Sequence, residues 1–164
     1  MNRYYIAYGS NLNFYQMERR CPDSQFIGTG ILKNCKLVFR GDKYNAVATV
    51  EPKNDSIVQV GVWKISQADE KRLDIYEGFP RLYRKENIKI NFGDIEANAM
   101  LYLMNDGYDY GMPSRIYLNT IRQGYQDCHL DEKQLMESVD HMKKMIEKSE
   151  MEEMFPLGYK DIRS

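Results

Sequence analysis

Metal-binding side chains are scarce in this sequence. It has two histidines, His129 and His141, and three cysteines, Cys21, Cys35 and Cys128, which are widely spaced and odd in number. Such a set suggests neither a disulfide framework nor a zinc motif, so no metal is expected. No apolar run reaches the length of a membrane span. Clustered positive charge is also lacking: the formal net charge is -1 and the basic residues are scattered, whereas a nucleic-acid surface needs a basic face. The stretch from Met1 to Ile6 is already strand-like and reaches Gly9 without the apolar region of a signal peptide. The expectation is a cytoplasmic protein with neither nucleic acid nor membrane as partner. No repeat, low-complexity stretch or linker divides the chain, which reads as one domain over 1–150 with a tail over 151–164. What remains is ample for a packed core, because 43% of the 164 residues are hydrophobic and 29% are charged. Any catalysis then falls to carboxylates, hydroxyls and backbone groups.

The pattern along the chain predicts an α+β fold. Arg3 to Tyr8 reads as a buried strand ending at Gly9. A short helix follows over Phe14 to Arg20, with Asn11 or Asn13 as its N-cap and Cys21-Pro22-Asp23 as its stop. Four strands are expected over Gln25–Ile31, Lys36–Arg40, Ala46–Val50 and Ile57–Ile65. Ser66 to Glu77 reads as a helix that Ser66 caps and Gly78 ends, with Asp69 and Glu70 suiting its positive first turn. A hairpin is expected from Tyr83–Asn91 and Ile95–Met104. Pro113-Ser114 opens a helix running to about Asp127, and Asp131 opens the last one, with Gln134 placed as in a capping box. Leu135, Val139, Met142 and Ile146 form one stripe on that helix, flanked by Met136 and Met145. The stripe reads as core-facing in preference to a partner groove. Regular βαβ alternation is absent, so the sheet is expected to be mixed or barrel-like.

Two places carry chemical signals. Tyr8-Gly9-Ser10-Asn11 lies where a strand meets a helix start. There Gly9 lets the chain bend, and the amides that follow it can converge on an anion or an oxyanion. An ordinary turn with a helix cap explains the same residues. The second signal is Glu77, just before Gly78 at the end of a helix, where the dipole disfavours a carboxylate. With partial burial added, its proton affinity should rise toward that of a general base. A surface glutamate at a frayed end is the alternative. Glu70 and Asp74 are expected to be solvated partners of Lys71 and Arg72.

Taken together, the residues resemble the gamma-glutamylcyclotransferase-like superfamily, which includes the AIG2-like proteins. The segment Tyr5-Ile6-Ala7-Tyr8-Gly9-Ser10-Asn11-Leu12 is similar to the family's substrate-binding loop. Leu73-Asp74-Ile75-Tyr76-Glu77-Gly78 is similar to the segment that carries its catalytic glutamate. Ala48-Thr49-Val50, Gly61-Val62-Trp63-Lys64-Ile65 and Ala99 to Met104 resemble family strands, and Pro113 to Tyr117 resembles the segment bringing a tyrosine to the pocket. The resemblance covers roughly residues 3 to 125 and leaves the helix from Asp131 unassigned.

The resemblance implies a mixed β-barrel surrounded by helices, with the pocket at one barrel end. It implies a cofactor-independent enzyme acting on a small γ-glutamyl compound. The substrate's α-amine attacks its own γ-carbonyl and releases 5-oxoproline. Glu77 would be the general acid/base. Tyr5, Ile6, Ala7, Tyr8, Gly9, Ser10, Asn11, Tyr83 and Tyr117 would bind substrate. The leaving group is either an amine or an amino acid, and the loops Gly41 to Asn45 and Asn105 to Gly111 would choose between them, Tyr108 and Tyr110 making the second a candidate lid. A homodimer is one assembly open to the chain. A non-catalytic protein that binds γ-glutamyl metabolites, or an interaction module, is the competing class.

Overall fold

The computed structural model describes residues 2–156. Its sheet has five strands: β1 (Arg3–Ala7), β2 (Gln25–Asp42), β3 (Asn45–Ile65), β4 (Tyr83–Phe92) and β5 (Ile95–Met104). The strand order is β2-β3-β1-β5-β4. β1 runs antiparallel to β3 and parallel to β5, so the sheet is mixed. Among the described residues four α-helices accompany it: α1 (Phe14–Arg20), α2 (Gln67–Tyr76), α3 (Arg115–Asp127) and α4 (Glu132–Met154).

The α+β class expected from the sequence is present, but the sheet does not close into a barrel. β2 and β4 remain its two edges. They face each other across an apolar groove lined by Leu32, Val50, Ile90 and Leu101. The strands anticipated as four pieces between Gln25 and Ile65 are in fact two long ones. Asn34 and Asp55 adopt positive φ at 57° and 63°, and the register shifts between Lys33 and Cys35. The polar stretches there mark an irregularity within a continuous pair, not a turn.

Helix starts follow the local chemistry. The Asn13 side chain accepts from Gln16 N at 3.0 Å and so caps α1. Ser66 and Asp69 form a reciprocal capping box on α2. At α4 the expected capping box is not made. Asp131 accepts from Lys133 N, while Gln134 turns inward and accepts from Gln59 N at 2.7 Å. Leu135 and Met142 are fully buried, as the stripe on this helix implies, and Ser138 donates to the Leu37 carbonyl at 2.6 Å. α4 continues to Met154, through the start of the segment read as a tail. The rest of that segment, from residue 157 on, lies outside the described residues. Among the described residues, no helix is long and apolar enough to cross a membrane.

Candidate active site

The end of β1, the turn after it, the end of α2 and the start of α3 meet around a cavity of about 180 Å³. It is lined by backbone and side chains of Gly9, Ser10 and Asn11, by Glu77, and by the tyrosines 5, 8, 76, 83, 102 and 117. Ser10 to Leu12 form a single 3₁₀ turn held by Leu12 N donating to the Gly9 carbonyl at 3.0 Å. A Cβ on Gly9 would lie 3.1 Å from the Ala48 Cβ and 3.5 Å from the Tyr117 hydroxyl, so the chain bends here in a space that glycine fits. Trp63 Nε1 donates to the Asn11 carbonyl at 3.0 Å and fixes the turn against β3.

Glu77 is the C-cap of α2, one residue past its last helical residue, and Gly78 with φ 63° turns the chain away. The carboxylate is half-buried and faces the cavity. Its Oε1 accepts from Asn11 Nδ2 at 3.3 Å. Burial raises its pKa from 4.5 to about 7, against the opposing pull of the Arg20 charge. Desolvation is thus the dominant cause of a shift that the sequence also ascribes to the helix dipole. Glu70 and Asp74 do not pair with Lys71 and Arg72 as expected. Both bind Lys85 at 2.8 Å, Glu70 also binds Arg3, and Asp74 accepts from the Tyr102 hydroxyl at 2.6 Å. They face the sheet, which separates them in role from Glu77.

The tyrosine hydroxyls have assigned directions. Tyr8 donates to the Tyr102 carbonyl at 2.5 Å, and Tyr83 donates to the Ala48 carbonyl at 2.5 Å. Each has spent its proton and offers only lone pairs to the cavity. Tyr117 instead accepts from Ala48 N at 3.0 Å, and Tyr5 accepts from Asn11 Nδ2 at 2.9 Å, so each keeps a proton to donate. Burial pushes the acidities of all four hydroxyls down, raising each pKa above 10, and the Glu77 charge adds to the effect. They are neutral hydrogen-bonding groups at working pH.

Of the residues singled out in the sequence, Tyr5, Tyr8, Gly9, Ser10, Asn11, Glu77, Tyr83 and Tyr117 line this cavity. Ile6 and Ala7 do not: both are buried strand residues whose side chains belong to the core. The anticipated lid is also tied down. Gly41 N donates to the Asp109 carbonyl, Tyr110 donates to Glu51 at 2.5 Å, and Arg40 stacks on the Tyr110 ring. Tyr76, Tyr102, Val47 and Leu82 join the lining unforeseen. Tyr76 sits beside Glu77, and the segment Leu73 to Gly78 around it was its only sequence signal.

A family model described as "Gamma-glutamyl cyclotransferase, AIG2-like" matches residues 5–123. No protein of curated function gives a significant sequence match. Among solved structures, one named "Gamma-glutamyl cyclotransferase" is 25% identical with a TM-score of 0.74, covering 87% of each chain. The uncharacterized protein loc79017 from Homo sapiens is 26% identical with a TM-score of 0.72, covering 87% of this chain and 86% of that one. A yeast gamma-glutamyl cyclotransferase specific to glutathione is 10% identical with a TM-score of 0.61, covering 87% and 96%, and supports the fold alone.

Proposed function

This chain belongs to the gamma-glutamyl cyclotransferase, AIG2-like family, and from that premise we propose that it cyclises a γ-glutamyl compound to 5-oxoproline with Glu77 as general acid/base. The observation that carries the reading is the raised proton affinity of Glu77, about 7, inside a small cavity bounded by the Gly9–Asn11 turn. A cavity of about 180 Å³ is smaller than the ~300–1,000 Å³ of most ligand pockets. It suits one aminoacyl unit, with the leaving group directed toward the mouth.

The polarity of the lining supports an orientation. The lone pairs of Tyr8 and Tyr83, together with the Glu77 carboxylate, favour the α-ammonium. The donors Tyr5 and Tyr117 favour the carboxylate or carbonyl oxygens. Glu77 removes a proton from the ammonium, and the freed amine attacks the γ-carbonyl carbon, forming the C–N bond of a five-membered ring. A 3₁₀ turn leaves its first amides without acceptors inside the turn, so Ser10 N and Asn11 N are available to the oxyanion. Collapse breaks the bond to the leaving nitrogen, which takes the first proton back from Glu77; the ring nitrogen then gives its second proton to Glu77, which passes it on to the released amine, leaving a neutral lactam and an ammonium. No water is consumed, and the products are 5-oxoproline and a free amine or amino acid. Because the attack is intramolecular, holding the glutamyl chain folded supplies much of the acceleration.

A panel of γ-glutamyl amino acids and γ-glutamyl amines, assayed for 5-oxoproline, tests the proposal. At least one should be turned over. No release from any of them, with saturable binding of one, would replace the enzyme by a metabolite-binding protein.

A further inference from the structure

Arg20 does not line the cavity, yet its charge acts on Glu77. It is the last residue of α1. Its Nη1 donates to Asn11 Oδ1 at 2.6 Å and to Ser10 Oγ at 3.1 Å. The guanidinium carbon lies 3.5 Å from the centre of the Tyr76 ring, so the plane is held from below while one nitrogen serves two acceptors.

This contact settles the orientation of the Asn11 carboxamide. A guanidinium has donors only, so the end of Asn11 that meets it has to be the oxygen. The amide nitrogen is thereby turned to the opposite side, where it donates to the Tyr5 hydroxyl at 2.9 Å and to Glu77 Oε1 at 3.3 Å. Were the carboxamide reversed, its oxygen would face the carboxylate, repelling it, and its NH2 would face Arg20. Asn11 itself is almost wholly buried and has no room to exchange partners with water.

We infer that Arg20 is a positioning residue for the cyclisation: through Asn11 it fixes which oxygen of Glu77 is bound and which remains free to take the proton, and it holds the Tyr5 hydroxyl ready to donate. The inference rests on the reading of Glu77 as the base. Lysine would not replace arginine here, because an ammonium lacks the flat face that packs on Tyr76 and holds the donating nitrogen between its two acceptors. The charge also acts on Glu77 directly, opposing the effect of burial. The other titratable groups lining the cavity around Glu77 are Tyr5 and Tyr8 from the first strand and its turn, Tyr76 from α2, Tyr83 from β4, Tyr102 from β5 and Tyr117 from α3. Burial raises the pKa of Tyr5, Tyr8, Tyr83, Tyr102 and Tyr117 and keeps them neutral, and Arg20 is the charge that opposes burial at Glu77.

The test uses Arg20→Met, Arg20→Lys and Arg20→Met combined with Asn11→Ala in the full chain. Two readouts are taken: the pH profile of kcat/KM on a turned-over γ-glutamyl substrate, and titration of the Glu77 carboxyl by carbon NMR without substrate. Arg20→Met should lower kcat/KM roughly tenfold to a hundredfold, as expected for loss of a charge-assisted hydrogen bond. It should also move the acidic limb to higher pH. Arg20→Lys should keep the limb near its original place and still lose rate. Adding Arg20→Met to Asn11→Ala should cost far less than adding it to the parent. An unmoved limb and unmoved NMR titration in Arg20→Met would overturn the inference, leaving Arg20 a packing residue, and so would full additivity in the double variant. The substrate-free titration separates the two readings. If it shifts as stated while no γ-glutamyl compound is ever turned over, the coupling of Arg20 to Glu77 stands and the reaction falls. If Arg20→Met does not fold, Arg20→Lys decides by its rate, and a parental kcat/KM there ends the positioning role.

Discussion

Putting a carboxylate among tyrosine rings disfavours its charge, and that same cost produces a base suited to neutral pH at Glu77. Its folded pKa, about 7, lies above the ordinary 4.5. The folded state therefore holds this proton more tightly than the unfolded state, and the contribution to stability falls as pH rises from about 4.5 to about 7. Glu77→Gln removes the buried charge. It should raise the melting temperature at pH 8, by about 2–4 °C for each kcal/mol of relief, and have little effect near pH 4. Calorimetry at the two pH values checks this, and an equal shift at both would remove burial as the cause. In the parent, kcat/KM should rise with pH through about 7 as Glu77 ionises. Glu77 was legible because its position before Gly78 breaks a rule of helix electrostatics and falls within a motif. Arg20 was not, because a cation in the last turn of a helix has an ordinary electrostatic explanation. Its function depends on Tyr76 and Asn11 arriving from other elements.

The elements that build the cavity are fitted closely at two glycines. Gly9 lets the turn press against Ala48 on β3. Gly124 lets α3 lie on the same turn: a Cβ there would sit 2.7 Å from Leu12 C and Asn13 N. Gly124→Ala should destabilise the fold by about 1–3 kcal/mol, the usual cost of overpacking. It should also raise KM, because Tyr117 rides on α3. Chemical denaturation and steady-state kinetics report the two effects, and a variant with parental stability and KM would show that the helix can move freely. The helices and the Tyr83–Met104 hairpin were readable from caps, periodicity and turn residues. The length of β2 and β3 was not, since Asn34 and Asp55 look like turn residues and act instead as left-handed irregularities within one ladder.

Across the whole molecule, α4 lies beyond the segment matched by the family model, yet it completes the core. Gln134 behaves as a small strand partner for β3: its oxygen accepts from Gln59 N at 2.7 Å, and its nitrogen contacts the Gln59 carbonyl at 3.3 Å and the Tyr125 hydroxyl at 2.7 Å. Gln134→Leu leaves that strand amide unpaired, so it should lower stability by about 1–3 kcal/mol with kcat/KM unchanged. Parental stability in a denaturant titration would contradict the pairing. This clamp was invisible in the sequence because Gln134 also fits a capping box, and local pattern favours the local partner. The unclosed sheet was hard to read for a related reason: closure depends on whether β2 and β4, which touch at Gly30 and Ile90, also pair by hydrogen bonds, and no strand records its distant neighbours. The central claim is that one carboxylate performs the proton transfers of ring closure. It is tested most directly by measuring 5-oxoproline release by the parent and by Glu77→Gln on the same γ-glutamyl substrate at saturation. A loss of at least about a hundredfold, with the fold and substrate affinity kept, is the result predicted; release at the parental rate would contradict the account.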